Sequence, residues 1–288
     1  MMKPHAYILL MATLALIVPV LGDEGEDDIA APEMLAETNR VTISGGARAY
    51  FESAYMSSSG TLSYTKPVAE QTAWLDVGLG DFGYLTTDGW LCSALNGHTD
   101  HVHRRAFYCY EGTARYGYAL DLPWKMQLDT NAGLLWDWLG GYESHPGTPL
   151  AILAIQRLRN PVLTPYWNLL HRFDDNRYVR IRTGVEHSFS VARQVKITPF
   201  AEAVWGDASR YRRIYGASPS YEFLNGAYMT AMVGMTGEWR FYGGWYLWLR
   251  FRQFLTINPA ARSLAHESSK ILHHTDQSIY GLGLGYRF

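Results

Sequence analysis

The sequence predicts an all-β fold, a single antiparallel up-and-down β-barrel of about twelve strands that cross a lipid bilayer. Three observations carry that expectation. From Arg40 onward, apolar and polar residues alternate with period two. The alternating runs are about 10–14 residues long, the length of a tilted strand crossing a bilayer. Aromatic residues gather at the ends of the runs, as in Leu122-Pro123-Trp124, Phe241-Tyr242 and Trp136 to Trp138, where an amphipathic ring suits the headgroup level. Composition agrees, because 10 Trp, 20 Tyr and 11 Phe are an aromatic load that a water-soluble domain would have to bury almost entirely. Only 2 of the 288 residues are Cys, which excludes a disulfide-stapled miniprotein.

The chain divides into three parts. Residues 1–22 read as a cleaved signal peptide: Lys3 precedes the apolar run 7–21, and the small residues Val20 and Gly22 stand at the −3 and −1 positions before Asp23. The run is too short for a membrane-spanning helix, which needs about 20 residues. Residues 23–39 (DEGEDDIAAPEMLAETN) form an acidic leader that contains a proline and no aromatic residue, so burial cannot offset its ordering entropy. Residues 40–288 are the barrel. Residues 38–288 carry 24 basic and 20 acidic side chains, too small an excess for a nucleic-acid binder.

Strands are expected near 41–55, 69–80, 83–93, 104–121, 125–138, 148–157, 161–173, 178–188, 194–206, 226–239, 243–255 and 278–288. In the tenth, Met229, Ala231, Val233, Met235 and Trp239 share one face and Tyr228, Thr230, Thr236, Glu238 and Arg240 the other. In the eleventh, Trp245, Leu247, Leu249 and Phe251 oppose Tyr246, Trp248, Arg250 and Arg252. Short connections at 122–124, 190–193 and 241–242 mark one end of the barrel, and the longer segments 207–225 and 256–277 mark the other. The run 148–157 lacks clean alternation. Without it the strand parity fails unless a second strand is lost, which gives ten as the runner-up.

The chain stops on SIYGLGLGYRF, in which Tyr280, Leu282, Leu284, Tyr286 and the terminal Phe288 share one face. This ending resembles the C-terminal strand of bacterial outer-membrane β-barrel proteins of the porin-like kind. The resemblance implies that Tyr286 and Phe288 belong to the signal read by the barrel-assembly machinery. It also implies a place in the bacterial outer membrane, among its lipid and lipopolysaccharide. It implies no activity.

Chemistry is then expected on the inward face. The candidates are Arg48, Glu52, Asp76, Asp88, Arg105, Glu111, Arg115, Lys125, Asp129, Arg180, Arg182, Glu186, Lys196, Glu202, Glu238, Arg250 and Arg252, interleaved with Tyr50, Trp74, Trp90, Tyr228, Tyr246 and Trp248. A barrel of about twelve strands leaves an aqueous lumen unless large side chains fill it, and charged rings set ion preference in pores. The first expectation is therefore a narrow passive channel for small polar solutes or ions. The alternative is a closed barrel that acts as an anchor or adhesin through its outer loops.

Cys92 and Cys109 flank the 94–103 loop with the same inward parity, and an oxidising periplasm permits a disulfide between them. His98, Asp100, His101 and His103 in that loop offer imidazole and carboxylate for a metal, although their spacing matches no defined ligand motif. No cofactor is expected. An outer-membrane hydrolase or protease is the least supported class. Glu186-His187-Ser188-Phe189 places His187 and Ser188 on opposite faces, whereas a His–Ser couple needs both on one.

Overall fold

The computed structural model describes residues 41–56, 62–64, 67–95, 108–139, 151–173, 178–206, 228–257 and 276–288. The strands are β1 (Thr42–Glu52), β2 (Tyr55–Met56), β3 (Leu62–Tyr64), β4 (Val68–Gly78), β5 (Tyr84–Ala94), β6 (Tyr108–Leu122), β7 (Met126–Leu139) and β8 (Ala151–Arg159). They continue with β9 (Thr164–Arg172), β10 (Tyr178–Glu186), β11 (Phe189–Ala192), β12 (Val195–Gly206), β13 (Tyr228–Tyr242), β14 (Trp245–Thr256) and β15 (Asp276–Arg287).

Each long strand pairs antiparallel with the next, and β15 returns to pair with β1, so the sheet closes. The small β2–β3 hairpin stands apart from it. β11 prolongs β10 past a break at His187 and Ser188. Both pair with β12, β10 along its second half and β11 at its start, so together they make one staff of the wall. The barrel therefore has twelve staves, as the sequence predicts. Closure leaves no open edge, which lets every strand satisfy its backbone in hydrocarbon.

The least regular expected strand, 148–157, is β8. It pairs with β7 along Gln127–Leu135 and with β9 along Tyr166–Arg172. Its alternation is blurred because the inward residues Ala151 and Leu153 are themselves apolar and pack with Leu135 and Leu170 inside the barrel. Both faces are apolar from Ala151 to Ile155.

The tight turns sit slightly later than expected. β6 and β7 turn through the three residues 123–125, closed by the Leu122–Met126 pair, with Trp124 (φ 62°) and Lys125 (φ 58°) in the left-handed conformation that tight hairpin turns use. Lys125 is thus an exposed turn residue and not an inward one. β11 and β12 turn through Arg193 and Gln194, and β13 extends through Phe241 and Tyr242 to turn at Gly243 (φ 47°) and Gly244.

The outer wall is apolar. Ile43, Phe51, Leu85, Leu120, Ile152, Val233, Met235, Leu249, Leu282 and Leu284 all project from it, each more than two-fifths exposed. A continuous band of this kind has no place in water and is suited to lipid. At the end with the tight turns, Phe82, Trp124, Trp239, Phe241 and Tyr242 add an aromatic rim. The chain terminus closes the seam there: the backbone N–H of Phe288 donates to the Gly45 carbonyl at 3.1 Å, and that of Gly45 donates back at 3.2 Å. Tyr286 lies on the outer face against Trp245, with ring centroids 5.2 Å apart.

Candidate functional site: the lumen wall

Inward-facing residues form rows that run across the strands. One row comprises Tyr246, Gly285, Arg48, Thr72 and Trp90; the next, towards the loop end, comprises Trp248, Gly283, Tyr50, Glu70 and Cys92; the third comprises Arg250, Gly281, Glu52 and Val68. The lumen face of β15 is made of glycines at these three levels. A Cβ at Gly281 would stand 2.9 Å from Trp248 and 3.1 Å from Glu52, so the missing side chains are what admit the large groups of β14 and β1.

Those groups form a column of arginines and rings. Arg287 lies 4.6 Å from the Tyr246 ring, Arg48 lies 4.5 Å from Trp248 and 4.9 Å from Tyr50, and Arg250 lies 5.0 Å from Trp248. Guanidinium over an aromatic face is attractive through the ring quadrupole, more so where water is scarce. Above the column, Glu52, 2% exposed, is held by Arg252 and by Arg250 Nη1 at 3.4 Å. Glu70 accepts from Tyr50 Oη at 2.6 Å and from Trp90 Nε1 at 2.8 Å.

A second network lines β5 to β8. Arg115 pairs with Asp88, donates to Thr113 Oγ1 at 3.1 Å and donates to Asn131 Oδ1 at 3.2 Å. Asp129 accepts from Tyr84 and from Arg159 at 2.9 Å. On β9 to β12, Tyr166 donates to Glu202 at 2.8 Å, Arg182 stands 3.5 Å from Glu202, and Arg157 stands 3.7 Å from Glu186. Near the turn end, Arg287 pairs with Glu238 at 2.9 Å. Towards the loop end the interior becomes apolar in two places, at Ala54, Met232, Phe254 and Ile279 and at Leu135, Ala151, Leu153 and Leu170.

Arg48, Glu52, Asp76, Asp88, Glu111, Arg115, Asp129, Arg180, Arg182, Glu186, Lys196, Glu202, Glu238, Arg250 and Arg252 all occupy the inward parity of their strands. The structure brings Glu52 to Arg250 and Arg252, Asp88 to Arg115, and Glu202 to Arg182. Sequence reasoning missed Glu70, Arg157, Arg159 and Arg287. Glu70 shares parity with Trp74 and Asp76, so alternation alone would have found it. Arg157 and Arg159 were hidden by the irregular β8, and Arg287 by the glycines that precede it on its face.

Cys92 is buried and stands directly opposite Cys109 in the β5–β6 register. Arg105, His98, Asp100, His101 and His103 lie outside the described residues, as do the leader and the signal segment. Among the described residues no group of three or more His, Cys, Asp or Glu is placed to hold a metal ion. His187 packs its ring 4.5 Å from Phe189, while Ser188 Oγ shares a hydrogen bond with Thr198 Oγ1 at 2.9 Å.

No protein-family model and no curated protein sequence matches the chain. Solved structures do. The chain is similar to an outer membrane channel from Pseudomonas putida F1, with a TM-score of 0.52 and 11% identity over 91% of this chain and 100% of that one. Weaker similarity links it to the toluene transporter TodX of P. putida, with a TM-score of 0.41 and 10% identity over 85% and 89% of the two chains. The translocator domain of the autotransporter NalP from Neisseria meningitidis gives a TM-score of 0.37 and 11% identity over 99% and 97%. At this level of identity what is shared is the fold, a closed antiparallel barrel of the outer-membrane type.

Proposed function

We propose that the protein is a narrow passive channel of the bacterial outer membrane for small polar solutes or ions. The observation that carries this reading is the division of one closed wall into an apolar outer face and an inner face of paired charges. Lipid accounts for the first, and contact with water or a polar solute accounts for the second. The turn end, with both the first described strand and Phe288, is then periplasmic, and the loop end is external. The channel is narrow because Trp248, Tyr246 and Arg252 project inward from one stave alone.

One observation favours the alternative, a closed barrel that anchors external loops. The ion pairs and the two apolar clusters occupy much of the inner wall. Planar-bilayer recording of the refolded protein separates the two readings, with heat-modifiable gel migration verifying the barrel. Discrete openings are expected for the channel; a barrel that migrates correctly and never opens would sink it and leave the anchor.

A further inference from the structure

Arg48 differs from the other arginines of its wall. Arg250 and Arg252 hold Glu52, and Arg287 holds Glu238. Among the described residues Arg48 lies over the rings of Tyr50 and Trp248 and has no carboxylate within ion-pair distance. Its Nε is buried without a hydrogen-bond acceptor among the described residues. The same holds for Thr72 Oγ1, its direct cross-strand neighbour on β4, and for Arg250 Nε. In the same row, across Gly285, the Tyr246 hydroxyl is buried with no acceptor among the described residues. Buried donors normally have partners, and a cluster without them carries a desolvation cost.

These donors point to one kind of ligand. Each supplies a hydrogen, and while the charge of Arg250 is matched by Glu52, that of Arg48 is not matched by a carboxylate among the described residues, so the complementary group is an acceptor-rich anion. A guanidinium presents a planar fork that matches a carboxylate or phosphate oxygen pair. The flat faces of Tyr50 and Trp248 beside it favour a planar body attached to that group. We infer that Arg48, with Thr72 and Tyr246, forms a binding site in the mid-lumen for a small oxyanion, a carboxylate or a phosphate. The inference rests on the channel reading, of which it supplies the solute class. Inside the lumen the site would act as a station that draws an anion from one mouth and releases it to the other, which requires modest affinity.

The test is calorimetric titration of the folded barrel in detergent with sodium benzoate and, separately, with inorganic phosphate. Saturable binding of at least one is expected, weakened about tenfold or more in Arg48→Gln and a few-fold in Thr72→Val. Preference for benzoate assigns the site to organic carboxylates, and preference for phosphate assigns it to phosphorylated solutes. Where Arg48→Gln fails to show the barrel's heat-modifiable migration, Thr72→Val decides, since it removes one hydroxyl at nearly constant volume. Absence of binding to the native protein, or binding equally strong in the folded variants, overturns the inference. Binding without conductance would defeat the channel and leave the site standing; conductance without binding would do the reverse.

Discussion

Tyr50 donates its hydroxyl hydrogen to Glu70 at 2.6 Å, which ties β1 to β4 inside the wall beside the seam where the barrel closes. Trp90 of β5 donates to the same oxygen at 2.8 Å, so one carboxylate gathers three adjacent staves. Replacing Tyr50 with Phe leaves the ring in place and removes one of two donors from a buried carboxylate. The expected loss of stability is about 1–2 kcal/mol. Urea unfolding of the refolded barrel, followed by tryptophan fluorescence, measures it; a loss no larger than that of Tyr118→Phe, at an exposed ring on the outer face, would show that the bond contributes nothing.

Glu52 neutralises two arginines of β14 at once. Glu52→Gln keeps the shape and removes the carboxylate that Arg250 and Arg252 share. Removing one member of a buried charge set is expected to cost about 3 kcal/mol. The double substitution Glu52→Gln with Arg252→Gln should recover part of that loss, since it removes one of the stranded charges. In a conducting barrel the single variant should also shift the reversal potential in a KCl gradient towards anions, because the lumen gains net positive charge.

Gly283 has no room for a methyl group. A Cβ there would stand 2.6 Å from the Ala49 carbonyl oxygen and would meet Tyr50, both part of the neighbouring strand at the seam. Backbone cannot swing aside as a long side chain does. Gly283→Ala is therefore expected to destabilise the barrel by about 2 kcal/mol and to lower the temperature at which its compact gel form is lost. Gly237→Ala serves as the comparison, because its nearest neighbour, Leu249 Cβ, lies 3.9 Å away.

Cys92 and Cys109 are direct register partners on β5 and β6. Directly opposed residues of antiparallel strands hold their Cα atoms about 4.5–5.5 Å apart, within the range a disulfide spans. Under oxidising conditions the two thiols should be joined. Mass spectrometry after alkylation without reductant is expected to find neither labelled; labelling of both in denaturant would exclude the bond.

Much of the architecture was legible because a strand writes its two faces into alternate residues. The parity of Tyr246, Trp248, Arg250 and Arg252 is enough to place all four inside, and the outer Trp245, Leu247 and Leu249 follow from the same rule. Where both faces of a strand are apolar, as at Ala151 and Leu153, or where one face is glycine, as on β15, that local record fades. Glu70 escaped although its parity was plain, and Lys125 was placed inside because the turn sits one residue later than the chain pattern suggests.

By itself, then, the sequence determined which side of the wall the residues of the cleanly alternating strands face and favoured twelve staves over ten, since these are local properties of period two. It could not determine which charges meet. Glu52 finds Arg250 and Arg252 across 198 and 200 residues of chain only because β15 closes on β1 and presents Gly281 between them. That pairing depends on the register at the seam, and so does the isolation of Arg48 among rings. A register between strands far apart in sequence is set by closure of the whole sheet, which no single stretch of residues encodes.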